Sequence, residues 1–308
     1  MLVVAHRALG ATLYHLGAVA TAHTHLTQGI ALYDPQQHRA SAFLHGEDAG
    51  VVCHSRAAWT LWYLGYPDQG LTQSREAVTL AHQITHPLSL GYALTVAAVF
   101  HQFRREWQTV QERAAAAMTL AKDQGFPYWI ALSSLLHGWA LAQQAGQAQE
   151  GITQIEQGLR AYRATGAELW RPYLLALLAD AYGTIGKAEA GLTALAEALT
   201  LADTTGERFY EPERYRLKGE LLLQQNSDNQ AETETCFTQA ITIAQNQQAK
   251  SWELRAATSL ARLWQSQGKR QEAHDLLAPV YGWFTEGFDT ADLKDAKTLL
   301  DALAEERS

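Results

Sequence analysis

The chain has 308 residues, 47% of them hydrophobic and 18% charged, with a formal net charge of −8. An acidic balance, with charged residues below the roughly 25% usual in soluble domains, leaves no basic stripe to track a phosphate backbone, so nucleic acid is not an expected partner. No run of about 18 apolar residues offers a membrane span, and the expected location is cytoplasmic, with no membrane partner.

The opening, MLVVAHRALGATLYHLG, carries polar residues every few positions. That spacing suits an amphipathic helix and lacks the charged, apolar and small-residue regions of an export signal. From here helix-period apolar patterns run on almost unbroken, with only 7 prolines and no sustained strand-like alternation, so the expected fold class is all-α. The first helix pair, 3–36, reads Leu9, Gly10, Leu13, Gly17, Ala22, Leu26 and Gly29. A longer interval follows, where Pro35 and the glycines of Asp34–Gly50 stop and redirect the chain as a loop or irregular turn. Further pairs are read at 51–84, 91–124, 132–165, 172–205, 212–247 and 254–287. Their turns fall at Gly65, Arg105, Gly146, Gly186, Asp228 and Gly268, giving intervals from Gly17 of 48, 40, 41, 40, 42 and 40 residues.

Such a period marks stacked units, none of which can bury its apolar face alone. The fifth unit sets Leu178, Ala179, Tyr182 and Gly186 on one helix and turn, then Gly191, Leu195 and Ala198 on the next. This is a degraded form of the tetratricopeptide pattern, about six residues longer than its usual 34. The sixth unit expands its turn at Asn226–Asn229, a cheap change for a surface loop. After the seventh, Asp289 or Thr290 is placed to cap a final helix over 290–305. The expected architecture is a single domain: a right-handed superhelical solenoid of about seven tetratricopeptide-like helix pairs with a C-terminal capping helix. Cys53 and Cys236 lie four units apart and read as reduced packing residues, too distant to bridge unless the array closes on itself.

The runs LYDPQQHRASAFL, GYPDQGL, RAYRATGAELWRPYLLALLADAYG, TGERFYEPERYRLKGELLL and LAPVYGWFTEGFDTADLKDA carry a resemblance. Over nearly its whole length the chain resembles the C-terminal repeat region of large bacterial signalling proteins. These combine a class III adenylate/guanylate cyclase or other effector domain with a P-loop signal-transduction ATPase. The resemblance implies a regulatory role beside a linked ATPase or cyclase, whose catalytic parts lie outside the matched region. Met1 stands almost on the first repeat, which leaves open an excised region or a stand-alone remnant.

No motif for catalysis stands out. The nearest approach to a phosphate-binding loop, Gly186-Lys187-Ala188, lacks the first glycine, the hydroxyl and the preceding strand. No strand scaffold holds paired carboxylates for two metal ions, and no G-x-S-x-G elbow occurs. His23, His25, Cys53 and His54 fall near one another in adjacent units but lack zinc-ligand spacing, and residues two apart on a helix face different directions. No enzyme activity, no metal and no cofactor are therefore expected.

In repeats of this class, positions 2, 5, 9 and 12 of each unit point into the concave face. The register then assigns Arg7, Tyr14, Trp59, Trp62 and Tyr92 to an aromatic N-terminal half. A polar C-terminal half receives Tyr173, Asp180, Glu213, Arg216, Glu220, Arg255 and Arg262. Beside this groove reading stands a packing one. Trp59 and Trp62 move into the core with a one-residue shift, and Trp139, Tyr182 and Trp264 read as core. Glu213, Arg216 and Glu220 have the spacing of an intrahelical ion pair, with Arg255 and Arg262 placed to neutralise them from the next unit. The leading functional expectation is a non-catalytic scaffold binding a peptide or protein segment in its groove. The alternative is a small-molecule sensor controlling a linked ATPase or cyclase.

Overall fold

The computed structural model describes residues 1–38, 42 and 46–305, and the described residues form helices and no strands. Seven antiparallel pairs follow one another: α1 (Leu2–His15) with α2 (Val19–Leu32), α4 (Ala49–Tyr63) with α5 (Pro67–Ile84), α6 (Pro87–Phe103) with α7 (Trp107–Gln124), α8 (Pro127–Ala142) with α9 (Ala148–Ala164), α10 (Arg171–Thr184) with α11 (Ala188–Thr205), α12 (Glu211–Gln225) with α13 (Gln230–Asn246), and α14 (Lys250–Ser266) with α15 (Arg270–Gly282). A single turn, α3 (Pro35–His38), follows the first pair, and α16 (Ala291–Glu305) closes the chain. The loop reading of Asp34–Gly50 falls partly on residues 39–41 and 43–45, which lie outside the described residues. The fold is the tetratricopeptide-like helical solenoid, in its all-α form.

Local chemistry explains the punctuation. Proline occupies the first turn of α5, α6, α8, α10 and α12, where a missing N–H costs nothing and the fixed φ favours helix entry. The tight turns inside pairs need a left-handed residue, and Gly17, Gly65, Gly146, Gly186 and Gly268 supply it at φ between 71° and 90°. Arg105 takes the same place in the third pair at φ 63°, a conformation that costs a side-chain-bearing residue energy. Two layers result. The first helices α4, α6, α8 and α10 are buried on nearly every face, whereas a second helix such as α9 buries only Gly151, Ile152, Ile155, Gly158 and Tyr162. Where α8 crosses α9, the backbones meet at Gly138 and Gly151. A Cβ on Gly151 would lie 2.4 Å from the Gly138 carbonyl oxygen.

The inner layer curls so tightly that the array meets itself. The Arg208 N–H donates to the His15 carbonyl at 2.7 Å, and Gln247 Nε2 donates to the Arg208 carbonyl at 2.9 Å, so the first pair rests on the start of the sixth. The second pair rests on the seventh. Ser251 Oγ donates to the Trp62 carbonyl, and Trp283 lies against Gly65, where any Cβ would meet its ring at 2.4 Å. Glu286 accepts from the Asp68 and Gln69 N–H groups at 2.9 and 3.1 Å, while the Gly287 N–H donates to Asp68 at 3.0 Å.

Inside this closed turn lies a column of aromatic rings. Trp62 meets Trp252 at 4.7 Å between ring centroids, Tyr173 meets Tyr210 at 4.8 Å, Trp59 meets Phe103 at 5.4 Å and Trp170 at 5.5 Å, and Tyr14 meets Phe209 at 5.2 Å. Most are edge-on or tilted, as ring quadrupoles prefer. Few polar groups enter, and several that do are paired: Trp59 Nε1 donates to the Val96 carbonyl, and Tyr173 donates to Gln102.

Candidate functional site

The aromatic column divides the inner face into two recesses. Tyr14, Trp59, Trp62 and Tyr173, assigned from sequence to the concave face, are no more than 2% exposed. Packed ring on ring, they offer no surface to a partner, and the position they occupy is that of the packing alternative. Trp139 is also buried, with its indole N–H on Asp180 at 2.8 Å, while Tyr182 and Trp264 pack against the core from half-buried positions. The curl of the array leaves no continuous groove along these residues.

The polar recess contains Asp180, Glu213, Arg216, Arg255 and Arg262, all assigned from sequence, with Glu220 on Arg216 at its edge. Sequence reasoning missed Arg105, Asp292 and Asp295, which come from the third turn and from α16. Arg216 grips Glu213 through two contacts of 2.8 and 2.9 Å, and Glu220 at 3.0 Å. Arg255 contacts Asp292 at 2.6 to 3.1 Å, Glu213 at 3.4 Å and the Phe103 carbonyl at 2.6 Å, with its guanidinium 4.7 Å from the Trp252 ring. Arg105 reaches Asp292 at 3.2 Å and Asp295 at 2.8 Å, and Arg262 turns to Asp295 at 3.6 Å, away from the α12 carboxylates. Burial alone would push Asp292 up, but Arg255 and Arg105 outweigh it and hold the carboxyl below its usual range. Burial pushes Asp180 up despite the Trp139 bond.

Each guanidinium in this recess already has a carboxylate. A ligand would have to displace charge-assisted bonds, each worth more than a neutral one. The network instead joins α12, α14 and α16 to the third turn, and acts as a clasp on the closed array.

The other recess, a vestibule of about 420 Å³, opens between α1, α4, α6 and α8. Ala8, Ala11, Val52, Leu88, Trp129 and Trp170 give it apolar walls, and Arg7, Glu47, Arg56, Tyr92 and Tyr128 supply its polar groups. Arg7 and Tyr92 were assigned from sequence; the remaining residues were not. Trp170 is held at φ 73°, a strained setting for a bulky residue. Glu207, 2% exposed, enforces it by accepting the Trp170 N–H with both oxygens at 3.0 and 3.2 Å, while burial pushes the Glu207 carboxyl up.

Arg56 is the unusual member. It is 6% exposed, donates Nε–H to Tyr92 at 3.0 Å, and lies 4.4 Å from the Trp59 ring centroid and 5.1 Å from that of Trp170. Its Nη1 has no hydrogen-bond partner, and no carboxylate pairs with it among the described residues. Glu47, the carboxylate of this recess, is bonded instead to Arg7 at 3.4 Å. Cation–π contacts of roughly 0.5–2 kcal/mol each offset only part of the several kcal/mol that burying an ion costs.

The histidines are engaged separately. His25 Nδ1 meets His6 at 3.0 Å, His23 Nδ1 meets Thr60 at 3.0 Å, and His54 Nδ1 meets Gln73 at 2.8 Å. Among the described residues no group of three or more His, Cys, Asp or Glu is placed to hold a metal ion. Cys53 and Cys236 are free thiols, and both are buried. No helix among the described residues is long and apolar enough to cross a membrane.

Comparison with known proteins places the fold. No family model matches. An uncharacterized protein of Rhizobium meliloti is 26% identical over 253 residues, or 81% of this chain and 24% of that protein. The chain therefore spans about a quarter of that relative's length. A Rap protein complexed with competence and sporulation factor superposes with a TM-score of 0.63 at 13% identity, covering 98% of this chain and 87% of that one. The apo form of RapI gives 0.55 at 10% identity, over 98% of this chain and all of that one. A signal-transduction ATPase with numerous domains from Pyrococcus horikoshii, bearing a tetratricopeptide repeat sensor, gives 0.51 at 12% identity, over 89% of this chain and 41% of that one. The structural neighbours are thus tetratricopeptide-like repeat proteins, including the sensor region of such an ATPase.

Proposed function

We propose that this chain is a non-catalytic binding scaffold that takes a peptide or protein segment into the vestibule between α1, α4, α6 and α8, as the sensory part of a bacterial signalling system. One observation carries the reading. The aromatic column fills the axis of the superhelix, whereas the vestibule remains open, apolar-walled and furnished with a few polar groups, the composition of a ligand site. The contact residues on this reading are Arg7 and Tyr92, joined by Arg56 and Trp129.

Two further facts support it. A protein of the same fold is known in complex with competence and sporulation factor, and another carries its repeats as the sensor of an ATPase. Together with the resemblance of the sequence runs to cyclase- and ATPase-linked repeat regions, this favours a role in controlling a linked ATPase or cyclase. A second reading, a small-molecule sensor, draws on the vestibule volume, which falls within the ~300–1,000 Å³ of small-ligand pockets.

Affinity selection from a pool of short peptides and metabolites tests both readings. A binder that raises the melting temperature and loses affinity in Trp129→Ala supports the vestibule. Binders whose affinity is indifferent to vestibule substitutions would move the site elsewhere.

A further inference from the structure

We infer that the vestibule holds its ligand by a carboxylate seated on Arg56, so that it reads the free C-terminal end of a peptide rather than an internal stretch. The inference rests on the peptide-binding reading above and names the group that enters first.

Arg56 carries the argument. A guanidinium is always charged and presents donors in a planar fork that matches a carboxylate. Here the residue is 6% exposed, its guanidinium lies 4.4 and 5.1 Å from the Trp59 and Trp170 ring centroids, and it spends Nε on the Tyr92 hydroxyl. The polar recess supplies a carboxylate for each of its arginines, but here Nη1 has no partner among the described residues. Buried charges are ordinarily paired, so a counter-ion is the missing complement.

The surroundings narrow its identity. Arg7 and Arg56 against Glu47 leave one excess positive charge in the vestibule, which one carboxylate balances. A phosphate dianion would overshoot that balance and would be repelled by Glu47. Arg7, about a fifth exposed and only loosely held at 3.4 Å, can turn toward the incoming anion as a second contact. In the same recess, Val52, Leu88 and Trp129 offer apolar surface for side chains on the carboxylate-bearing residue and its neighbours. The volume suits a few residues, not a long segment.

The test uses the full chain with three probes: a pool of N-acetylated tripeptides built from Leu, Ile, Phe and Met with free carboxylates, the same pool as C-terminal amides, and octanoate. Enriched members are titrated calorimetrically against wild type, Arg56→Met and Arg7→Gln. The expected result is that acids bind and their amides bind at least tenfold more weakly. Arg56→Met should lose at least tenfold for the acid without a lower melting temperature, and Arg7→Gln, at a more exposed position, should lose a few-fold.

Equal binding of acid and amide, or an acid affinity untouched in both variants, overturns the carboxylate while leaving the peptide reading standing. Arg56-dependent binding of octanoate without any peptide upholds the carboxylate seat but overturns its assignment to a peptide end. Enrichment of nothing from any pool overturns both readings together.

Discussion

Replacing Asp292 with Leu removes the carboxylate that two donors of Arg255, through three contacts, and one of Arg105 share, at 2.6 to 3.2 Å, while supplying a side chain of similar bulk. Removing one partner of a buried ion pair costs about 3–5 kcal/mol, because the other charge stays behind. Arg255 retains Glu213 at 3.4 Å and the Phe103 carbonyl, so the lower figure, about 3 kcal/mol, applies. With an unfolding entropy of about 2.1 cal/mol/K per residue, that lowers the melting temperature of 308 residues by about 5 °C. The assay is far-UV circular dichroism, with small-angle scattering to follow the radius of gyration, which should rise as α16 releases the third turn. The double variant Asp292→Leu with Arg255→Met should recover most of the loss, since an apolar pair replaces a buried ionic one at little cost. A shift under about 1 °C for the single variant, or additivity in the cycle, would refute the clasp.

Three other outcomes follow from the packing and the titrating groups. Gly151→Ala sets a Cβ 2.4 Å from the Gly138 carbonyl oxygen and 2.5 Å from the Ala142 nitrogen, both backbone atoms, so it should destabilise by about 2–3 kcal/mol in a denaturant melt. Cys53, its thiol pushed up to about 12 by burial, and Cys236, raised for the same reason, should resist iodoacetamide at pH 8 in the native state and react on unfolding. On acidification Asp180 and Glu207, whose folded values are raised, take up protons first and add stability, because their ionised forms are the costly ones. Asp292 is depressed, so its contribution is complete above the unfolded value of about 3.9 and disappears as pH falls through its lower folded value. His15 and His23, whose folded values are lowered by burial, stay neutral while the unfolded chain takes up protons below about 6.5, so they remove stability over the range in which Asp180 and Glu207 add it. The melting temperature should therefore change by opposing terms between about pH 6.5 and 4 and drop below about pH 4 as Asp292 is neutralised; a melting temperature that holds well below pH 4 would contradict the Asp292 assignment.

The turns were legible because they are local. A residue in the left-handed region between two short helices is glycine for steric reasons, so the spacing of glycines traces the pairs. The fate of the inner face was not legible in the same way. Whether Trp59 and Trp62 meet a ligand or meet Trp170 and Trp252 depends on a small rotation between neighbouring pairs, accumulated over several units. No periodic pattern records that rotation. The partners of Arg105 lie 187 and 190 residues away, beyond any motif, but the residue itself left a trace: an arginine stands where the other turns, apart from Asp228, use glycine. Arg56 left none, since its place on the vestibule without a carboxylate partner among the described residues is revealed only by the packed structure.

A string of repeats in which each touches only its neighbours can melt from its ends and tolerates the loss of a terminal member. Here the first pair leans on the sixth and the second on the seventh, so every end is also a middle. Deleting the last pair should strip Trp62 of its Trp252 neighbour and unseat the far end of the chain, rather than leave six sound pairs behind. Amide exchange across the molecule should accordingly follow one global opening, not a gradient from the tips inward.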